Sequence, residues 1–180
     1  STELTAIAGG TELIMSGGSA DLVSMTSGGT EEVYGADTRA KIGSGGRQNV
    51  FTGGAAAAAT VTSGGAQYVT GSASTTTVSN GGTEVVLSGG VTSGTIATAG
   101  GIETASASGI ATGTNVSSGG TLAVVSNGTA SGAVISGGGT LELFGGSVVD
   151  SSDTLLSGGV LEVGSGYTLD SNATVTGVSG

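Results

Sequence analysis

Apolar side chains recur along this chain at fixed places within a short repeat. A pair of glycines opens each unit, and the first glycines are Gly9, Gly28, Gly45, Gly64, Gly81, Gly100, Gly119, Gly138 and Gly158. Counted from that glycine, the sixth position is apolar in all nine units: Ile14, Val33, Val50, Val69, Val86, Ala105, Val124, Leu143 and Val163. Self-similarity at a period near 19 residues predicts a solenoid, in which each unit stacks on its neighbours.

A second apolar column comes shortly before the next glycine pair and consists of Met25, Ile42, Val61, Val78, Ala97, Val116, Ile135 and Leu155. Around both columns Thr, Ser, Ala and Val alternate with the period of a strand, and a unit of this length has no room for a strand and a full helix. The chain also lacks Pro, as strands that must both donate and accept ladder hydrogen bonds require. We therefore predict an all-β, right-handed parallel β-helix of about nine coils, with both columns inside.

We expect residues 1–180 to form a single solenoid domain. The first and last residues fall in mid-coil without a polar or helical cap, and an uncapped solenoid exposes strand edges. The expectation is that the array continues at both ends in a longer protein.

The fourth position of the unit is polar in the first six units and leucine in the last three: Glu12, Glu31, Gln48, Gln67, Glu84, Glu103, Leu122, Leu141 and Leu161. Carboxylates stacked about 4.8 Å apart repel one another, which raises a pKa or attracts a cation. One interpretation is therefore a ladder that binds cations or glycans. The other, which we favour, is a solvated polar column at the ends of the strands.

Composition removes whole classes of chemistry. The chain has 39 Gly and no Cys, His or Trp, so it has no imidazole base, thiolate nucleophile, zinc site or disulfide. Its net charge is −10, and its cations are Arg39, Lys41 and Arg47. Without a basic stripe a nucleic-acid partner is not expected. We expect no metal or cofactor. The three cations, beside Glu31, Glu32 and Asp37, form either a charged patch for a partner or, as we favour, a surface of local ion pairs.

Two groups of carboxylates merit a test against glycoside cleavage, which needs only acidic residues. The first is Glu31 and Glu32 with Asp37, and the second is Asp150 with Asp153. Adjacent residues of a strand point to opposite faces, which separates Glu31 from Glu32. We predict that the second pair lies in an exposed bulge of the 20-residue unit, and that the protein is not an enzyme.

The sequence of the repeat resembles that of a known family. Residues 27–33, 63–69 and 80–86 carry the pattern S/N-G-G-T/A-E/Q-x-V, which precedes G-G-x-A-x-x-T-x-V-x-S. This pattern is similar to the repeats of AIDA-type self-associating autotransporter adhesins. The resemblance implies a β-helical passenger segment that is secreted or displayed on the outer surface of a Gram-negative bacterium, held in the outer membrane by a barrel domain outside this sequence.

The resemblance also implies a function and a modification. The function is cell aggregation, surface adhesion or biofilm formation, by self-association through a repetitive Ser/Thr-rich face, with surface glycans or receptors as further partners. The modification is O-glycosylation by a glycosyltransferase, and the residues that match the modified motif are Ser27, Ser44, Ser63 and Ser118.

Three alternatives remain open. The chain could be a passive spacer that projects another domain, a polysaccharide-active β-helix enzyme, or an ice-binding solenoid. Ice binding needs a regular threonine face, and the threonines here wander within the unit: Thr60, Thr62, Thr75 to Thr77, Thr95, Thr98, Thr112 and Thr114.

Overall fold

The computed structural model describes residues 7–169 in full and the backbone of residues 2–3 and 176–178. It is an all-β parallel solenoid of about eight turns, close to the nine coils predicted. The predicted fold class is confirmed, whereas the right-handed winding stays a prediction. Parts of both predicted uncapped ends, residues 1, 4–6, 170–175 and 179–180, lie outside the described residues. No helix in the described part of the chain has the length and apolarity to cross a membrane.

Each full coil contains three short strands, and equivalent strands of successive coils pair in parallel to form three sheets along the rod. Sheet A contains Thr2–Glu3, Ser19–Asp21, Ala36–Thr38, Ala55–Ala57, Ser72–Ser74, Val91–Ser93, Ile110–Thr112, Thr129–Ser131 and Val148–Val149. Sheet B contains Ile7–Ala8, Ser24–Thr26, Lys41–Ile42, Thr60–Val61, Thr77–Val78, Ile96–Ala97, Asn115–Val116, Val134–Ile135, Thr154–Leu156 and Thr176–Val178. Sheet C contains Thr11–Ile14, Thr30–Val33, Arg47–Val50, Ala66–Val69, Thr83–Val86, Ile102–Ala105, Thr121–Val124, Thr140–Leu143 and Val160–Val163.

The two glycines of a pair do different jobs in the turn from sheet B to sheet C. In the coil that contains Asn80, Gly81 has a φ of 81°, and the N–H of Gly82 donates to the carbonyl of Ser79 over 2.9 Å. Two left-handed residues inside such a hydrogen bond form a type I′ turn. Gly82 is needed for a steric reason, because a Cβ there would lie 2.3 Å from the carbonyl oxygen of Val61 in the preceding coil.

The uneven length of the repeat comes from the turn between sheets C and A. Most coils place four residues there, as between Val50 and Ala55, whereas the two 17-residue units place only two, as between Val69 and Ser72. The strands themselves keep their length. The hydrogen-bond ladder therefore stays in register although the period changes.

The interior consists of five columns of side chains, not the two that the sequence predicts. The two predicted apolar columns are inside, except at the C-terminal end, where Val163 is 44% exposed and Leu155 is half-buried. Sheet A contributes a third column through its central residues, such as Ala73, and the corner between sheets A and B contributes a fourth, such as Ala59. The fifth column is the fourth position of the repeat on sheet C, for which the sequence predicts a solvated column.

Candidate functional site

The four candidate glycosylation residues lie at one corner of the rod, in the turn between sheets B and C. Backbone hydrogen bonds link this corner from coil to coil: the N–H of Ser27 donates to the carbonyl of Ser44 over 2.8 Å, and that of Ser44 to the carbonyl of Ser63 over 3.1 Å. Three serines therefore stack on consecutive coils, with a spacing of about 4.8 Å. Asn80 and Ala99 occupy the same place in the next two coils, before Ser118.

Each of these serines is exposed and has a left-handed backbone, with φ of 51° at Ser27, 48° at Ser44, 51° at Ser63 and 49° at Ser118. Their hydroxyl groups make no hydrogen bond with another described residue. Because the turn presents each Oγ at its tip, the group is accessible to an enzyme or to a second molecule. The structure thus places the predicted acceptors in one accessible row.

The outer face of sheet A also presents hydroxyl groups in register over several coils. Outward side chains of Ser74, Ser93, Thr112 and Ser131 are register partners on consecutive coils and form what we call the hydroxyl column. A parallel column on the same face contains Val91 and Ile110, which are 39% and 38% exposed. Between Ala55 and Ser131 no outward residue of this face is charged. We call the outward side chains of sheet A between Ala55 and Ser131 the sheet A face.

The fourth-position column is buried, which corrects the expected solvated column. Glu31, Gln48, Gln67, Glu84 and Glu103 have no exposed surface. Side chains alternate between the two faces of a strand, and the fourth and sixth positions are two residues apart, so both point to the same side of sheet C. A glycan ladder is excluded for the same reason, and no group of three or more acidic side chains in the described residues is arranged to hold a metal ion.

The N-terminal part of this column is a hydrogen-bonded chain along the rod axis. The side-chain amide of Gln48 donates to Oε2 of Glu31 over 2.6 Å and to Oδ2 of Asp37 over 2.8 Å. The amide of Gln67 donates in turn to Oε1 of Gln48 over 2.5 Å. The other carboxyl oxygens of Glu31 and Asp37 are buried without a hydrogen-bond partner.

In the next coils, threonines from the opposite wall donate hydrogen bonds to the buried carboxyl groups. Thr95 donates to Oε2 of Glu84 over 2.9 Å, and Thr92 and Thr114 donate to the two carboxyl oxygens of Glu103 over 2.6 and 2.7 Å. Thr92, Thr95 and Thr114 are therefore interior residues. Thr76 is buried too, so these threonines contribute nothing to an outer ice-binding face.

No basic side chain enters this interior, and the pKa values of its carboxyl groups rise as a result. Burial, reinforced by the charge of Asp37, raises the pKa of Glu31 to about 8, and burial raises that of Asp37 to about 6. Burial and the neighbouring Glu103 raise the pKa of Glu84 to about 8. Burial raises the pKa of Glu103 too, against the lowering effect of its threonine hydrogen bonds. Protonated, neutral carboxyl groups suit such an interior, because a buried charge without a partner is costly.

The carboxylate groups considered for catalysis do not form an open site. Glu31 and Asp37 lie inside the rod, where a polysaccharide cannot reach them, and Glu32 points outward as expected. The bulge at residues 150–153 is only partly exposed, because Asp153 is 1% exposed and accepts hydrogen bonds from the backbone N–H groups of Ala133 and Asp150. The expectation that both Asp residues lie in an exposed bulge is therefore wrong for Asp153.

Two of the three cations have other neighbours than the predicted ones. Arg39 forms an ion pair with Asp21, and its Nε donates to Oδ1 of Asp21 over 2.9 Å. The guanidinium of Arg47 lies over the ring of Tyr68, with 4.0 Å between its carbon Cζ and the ring centroid. Because Glu31 and Asp37 point inward, the predicted patch of ion pairs with these acids does not form.

Comparison with known proteins adds a fold match. No family model matches the sequence, and no curated protein sequence matches it. Among solved structures, the chain matches the crystal structure of a TibC-catalysed, hyper-glycosylated fragment of TibA, residues 55–350, with a TM-score of 0.53 and 23% identity. The match covers 96% of this chain and 98% of the TibA fragment. The fold is similar to that of TibA.

The TibA match extends over nearly the whole rod, so the likeness is to the solenoid and not to one local motif. At 23% identity it supports the parallel β-solenoid and leaves the chemistry of individual residues to be argued from this chain.

Proposed function

We propose that this chain is a segment of a secreted or surface-displayed bacterial adhesin that holds cells together by association between like rods. The repeated, uncharged sheet A face is the observation that carries this proposal. Four consecutive coils present a hydroxyl group in register, and two of them also present an exposed aliphatic side chain, so two aligned rods make similar weak contacts several times. Multivalency turns such contacts into a strong one when several form at once. The resemblance of the repeat to self-associating adhesins supports the same function.

The regular column of hydroxyl groups distinguishes this face, because the outer faces of sheets B and C have uncharged stretches of similar length without such a column. The net charge of −10 opposes contact between two copies. The charged residues nearest to the sheet A face lie beyond its two ends and are Arg39, which is paired with Asp21, and Asp150. Exposed Val91 and Ile110 add apolar area that a second copy would cover. Surface glycans and receptors stay predictions as further partners.

A settling assay on cells tests this function. The chain is displayed on cells that do not aggregate, and we expect these cells to settle faster than bare cells, more so as salt screens the net charge. The variant S93E/T112E puts two carboxylates on the sheet A face and should slow settling. The control T83E/T121E adds the same charges to the outer face of sheet C and should settle like the native chain.

The outcomes separate the two leading accounts. Settling no faster than bare cells, at low and at high salt, would favour the passive spacer. Equal loss in both variants would show that total charge matters and the sheet A face does not.

We further propose that Ser27, Ser44, Ser63 and Ser118 are acceptors for O-glycosylation. Their exposure at the tips of type I′ turns supports this, and so does the glycosylated state of the TibA fragment. The test is intact mass after expression with a glycosyltransferase of the TibC kind. Replacing all four serines with Ala, the residue that already occupies this corner at position 99, should remove the added mass without loss of the fold. Full glycosylation of the quadruple variant would contradict the assignment.

A further inference from the structure

A small cavity on the outer face of sheet C interrupts the repetition of the rod. The residue that follows each strand of this sheet points outward and stacks on its equivalent in the next coil, in the order Tyr34, Phe51, Thr70 and Leu87. Thr70 is much smaller than Phe51 and Leu87, so a gap remains between these two side chains. The gap is a cavity of about 170 Å³, lined by Arg47, Asn49, Phe51, Tyr68, Thr70 and Leu87, with Val50 at its base.

Aromatic rings form the apolar wall of this cavity, and neighbouring side chains hold them. Tyr34 stacks on one face of the Phe51 ring, with centroids 4.5 Å apart and an interplanar angle of 7°. The opposite face of Phe51 lies toward Thr70 and the cavity. The Tyr68 ring is covered by the guanidinium of Arg47. Three of the five aromatic residues of the chain thus lie on consecutive coils around one place.

Hydrogen-bond donors form the polar wall. The Nε of Arg47 donates to Oδ1 of Asn49 over 2.7 Å, which fixes both side chains. This bond uses the acceptor of the Asn49 amide and one of the five N–H groups of Arg47, so donors predominate among the remaining groups. A ligand rich in oxygen acceptors matches such a wall.

The positive charge at the cavity favours an oxygen-rich ligand that also carries an anionic group. All cations of the chain lie between residues 39 and 47, in a protein of net charge −10. Arg39 is engaged by Asp21, and Glu32, the register partner of Asn49 on this face, forms no ion pair with Arg47. Arg47 is therefore the positive group at the cavity and attracts the anionic group of a ligand over a short distance, against the opposing charges of Glu32 and of the protein as a whole.

We propose that this cavity binds one carboxylate-bearing pyranose, such as a hexuronate unit of a glycan. Its volume is below the range of about 300–1,000 Å³ typical of drug-sized ligands, which suits a single sugar ring. The C–H face of the sugar packs on Phe51, and its carboxylate accepts hydrogen bonds from Arg47. This binding goes beyond the proposed rod association, because it uses one unrepeated place on a different sheet.

A matched pair of ligands tests the proposal by NMR titration of the ¹⁵N-labelled full chain. Methyl glucuronoside and methyl glucoside differ only in the carboxylate at carbon 6. We expect saturable shifts of the side-chain signals of Arg47 and Asn49 with the glucuronoside, and at least tenfold weaker binding of the glucoside. The variant R47Q should bind the glucuronoside at least tenfold more weakly than the native chain.

Two substitutions in one column separate a filled cavity from a general effect. T70L fills the gap with the side chain that the column carries at position 87, and it should abolish binding. S106L makes the same kind of change two coils away and should leave binding intact. No saturation up to about 50 mM glucuronoside, equal affinity for both sugars, or native affinity in T70L would each overturn the proposal. Sedimentation of the same samples reports rod association separately, so failure of one proposal does not imply failure of the other.

Discussion

Acid should stabilise this protein, because its interior carboxyl groups bind protons more tightly in the folded state than in the unfolded chain. Burial raises the pKa of Glu31 from 4.5 to about 8. A group with a raised folded pKa contributes stability that is complete below its unfolded pKa and is lost as the pH rises through its folded pKa. At about 1.4 kcal/mol per pH unit, the interval from 4.5 to about 8 corresponds to a loss of up to about 5 kcal/mol for Glu31.

The perturbation that isolates this effect is Glu31→Gln. Glutamine is the residue of the same column in the next two coils, so its side chain suits this interior, and its carbonyl can still accept from Gln48. The variant lacks the titration. We expect it to match the native chain at about pH 4.5 and to exceed it in unfolding free energy at about pH 8 by up to about 5 kcal/mol.

The assay is urea unfolding followed by far-UV circular dichroism across this pH range. Glu32→Gln is the control, because it removes the same charge from the outer face of the same strand and should keep the pH dependence of the native chain. A native midpoint that rises from about pH 5 to about pH 8 would refute the reasoning. So would a Glu31→Gln variant whose midpoint falls with pH as steeply as that of the native chain.

Three further predictions concern the turns, the core and metals. Gly82→Ala should lower the free energy of unfolding by about 3 kcal/mol or more, because its Cβ would overlap a backbone carbonyl oxygen. Gly81→Ala should lower the free energy of unfolding by about 1–2 kcal/mol, because Gly81 has a left-handed backbone. Urea midpoints measure both changes. Val86→Asp places a charge without a partner in the interior and should cost several kcal/mol, seen as loss of the β-sheet dichroism signal at ordinary temperature. A chelator should leave the melting temperature unchanged in calorimetry, and a large drop would point to a cation at the buried carboxyl groups.

Much of the fold follows from the sequence because every coil of a solenoid repeats the same pattern of turns and inward-facing positions. The glycine pairs mark the turns, and the nine apolar sixth positions mark one inner face of sheet C. The sequence does not reveal why the second glycine of a pair is needed. Only the stacked coils show that the carbonyl of Val61 leaves no room for a Cβ at Gly82.

The polar column is the part of the site that sequence reasoning assigned to the wrong side. Glu and Gln are usually solvated, and that expectation outweighed two signals in the sequence. The fourth position has the parity of the buried sixth position, and leucine replaces Glu at positions 122, 141 and 161 of the same column. The threonine partners of Glu84 and Glu103 come from the opposite wall, 11 residues away, and only the folded coil brings them together.

The cavity beside Arg47 illustrates a second kind of feature that a repeat hides. The repeated columns of the sequence show what the units share. Phe51, Thr70 and Leu87 form a cavity because they differ in size at one repeated place. The sequence shows Arg47 as one of three cations, whereas its position over Tyr68 depends on the register of adjacent coils.

The most direct test of the central claim, association between like rods through the sheet A face, is sedimentation velocity of the isolated chain. Measured at about 50 mM and about 500 mM NaCl, the native chain should form larger species as its concentration rises, and more of them at high salt, where the net charge of −10 is screened. The S93E/T112E variant should remain a monomer under the same conditions. A native chain that sediments as a monomer at every concentration and at both salt levels would contradict the claim.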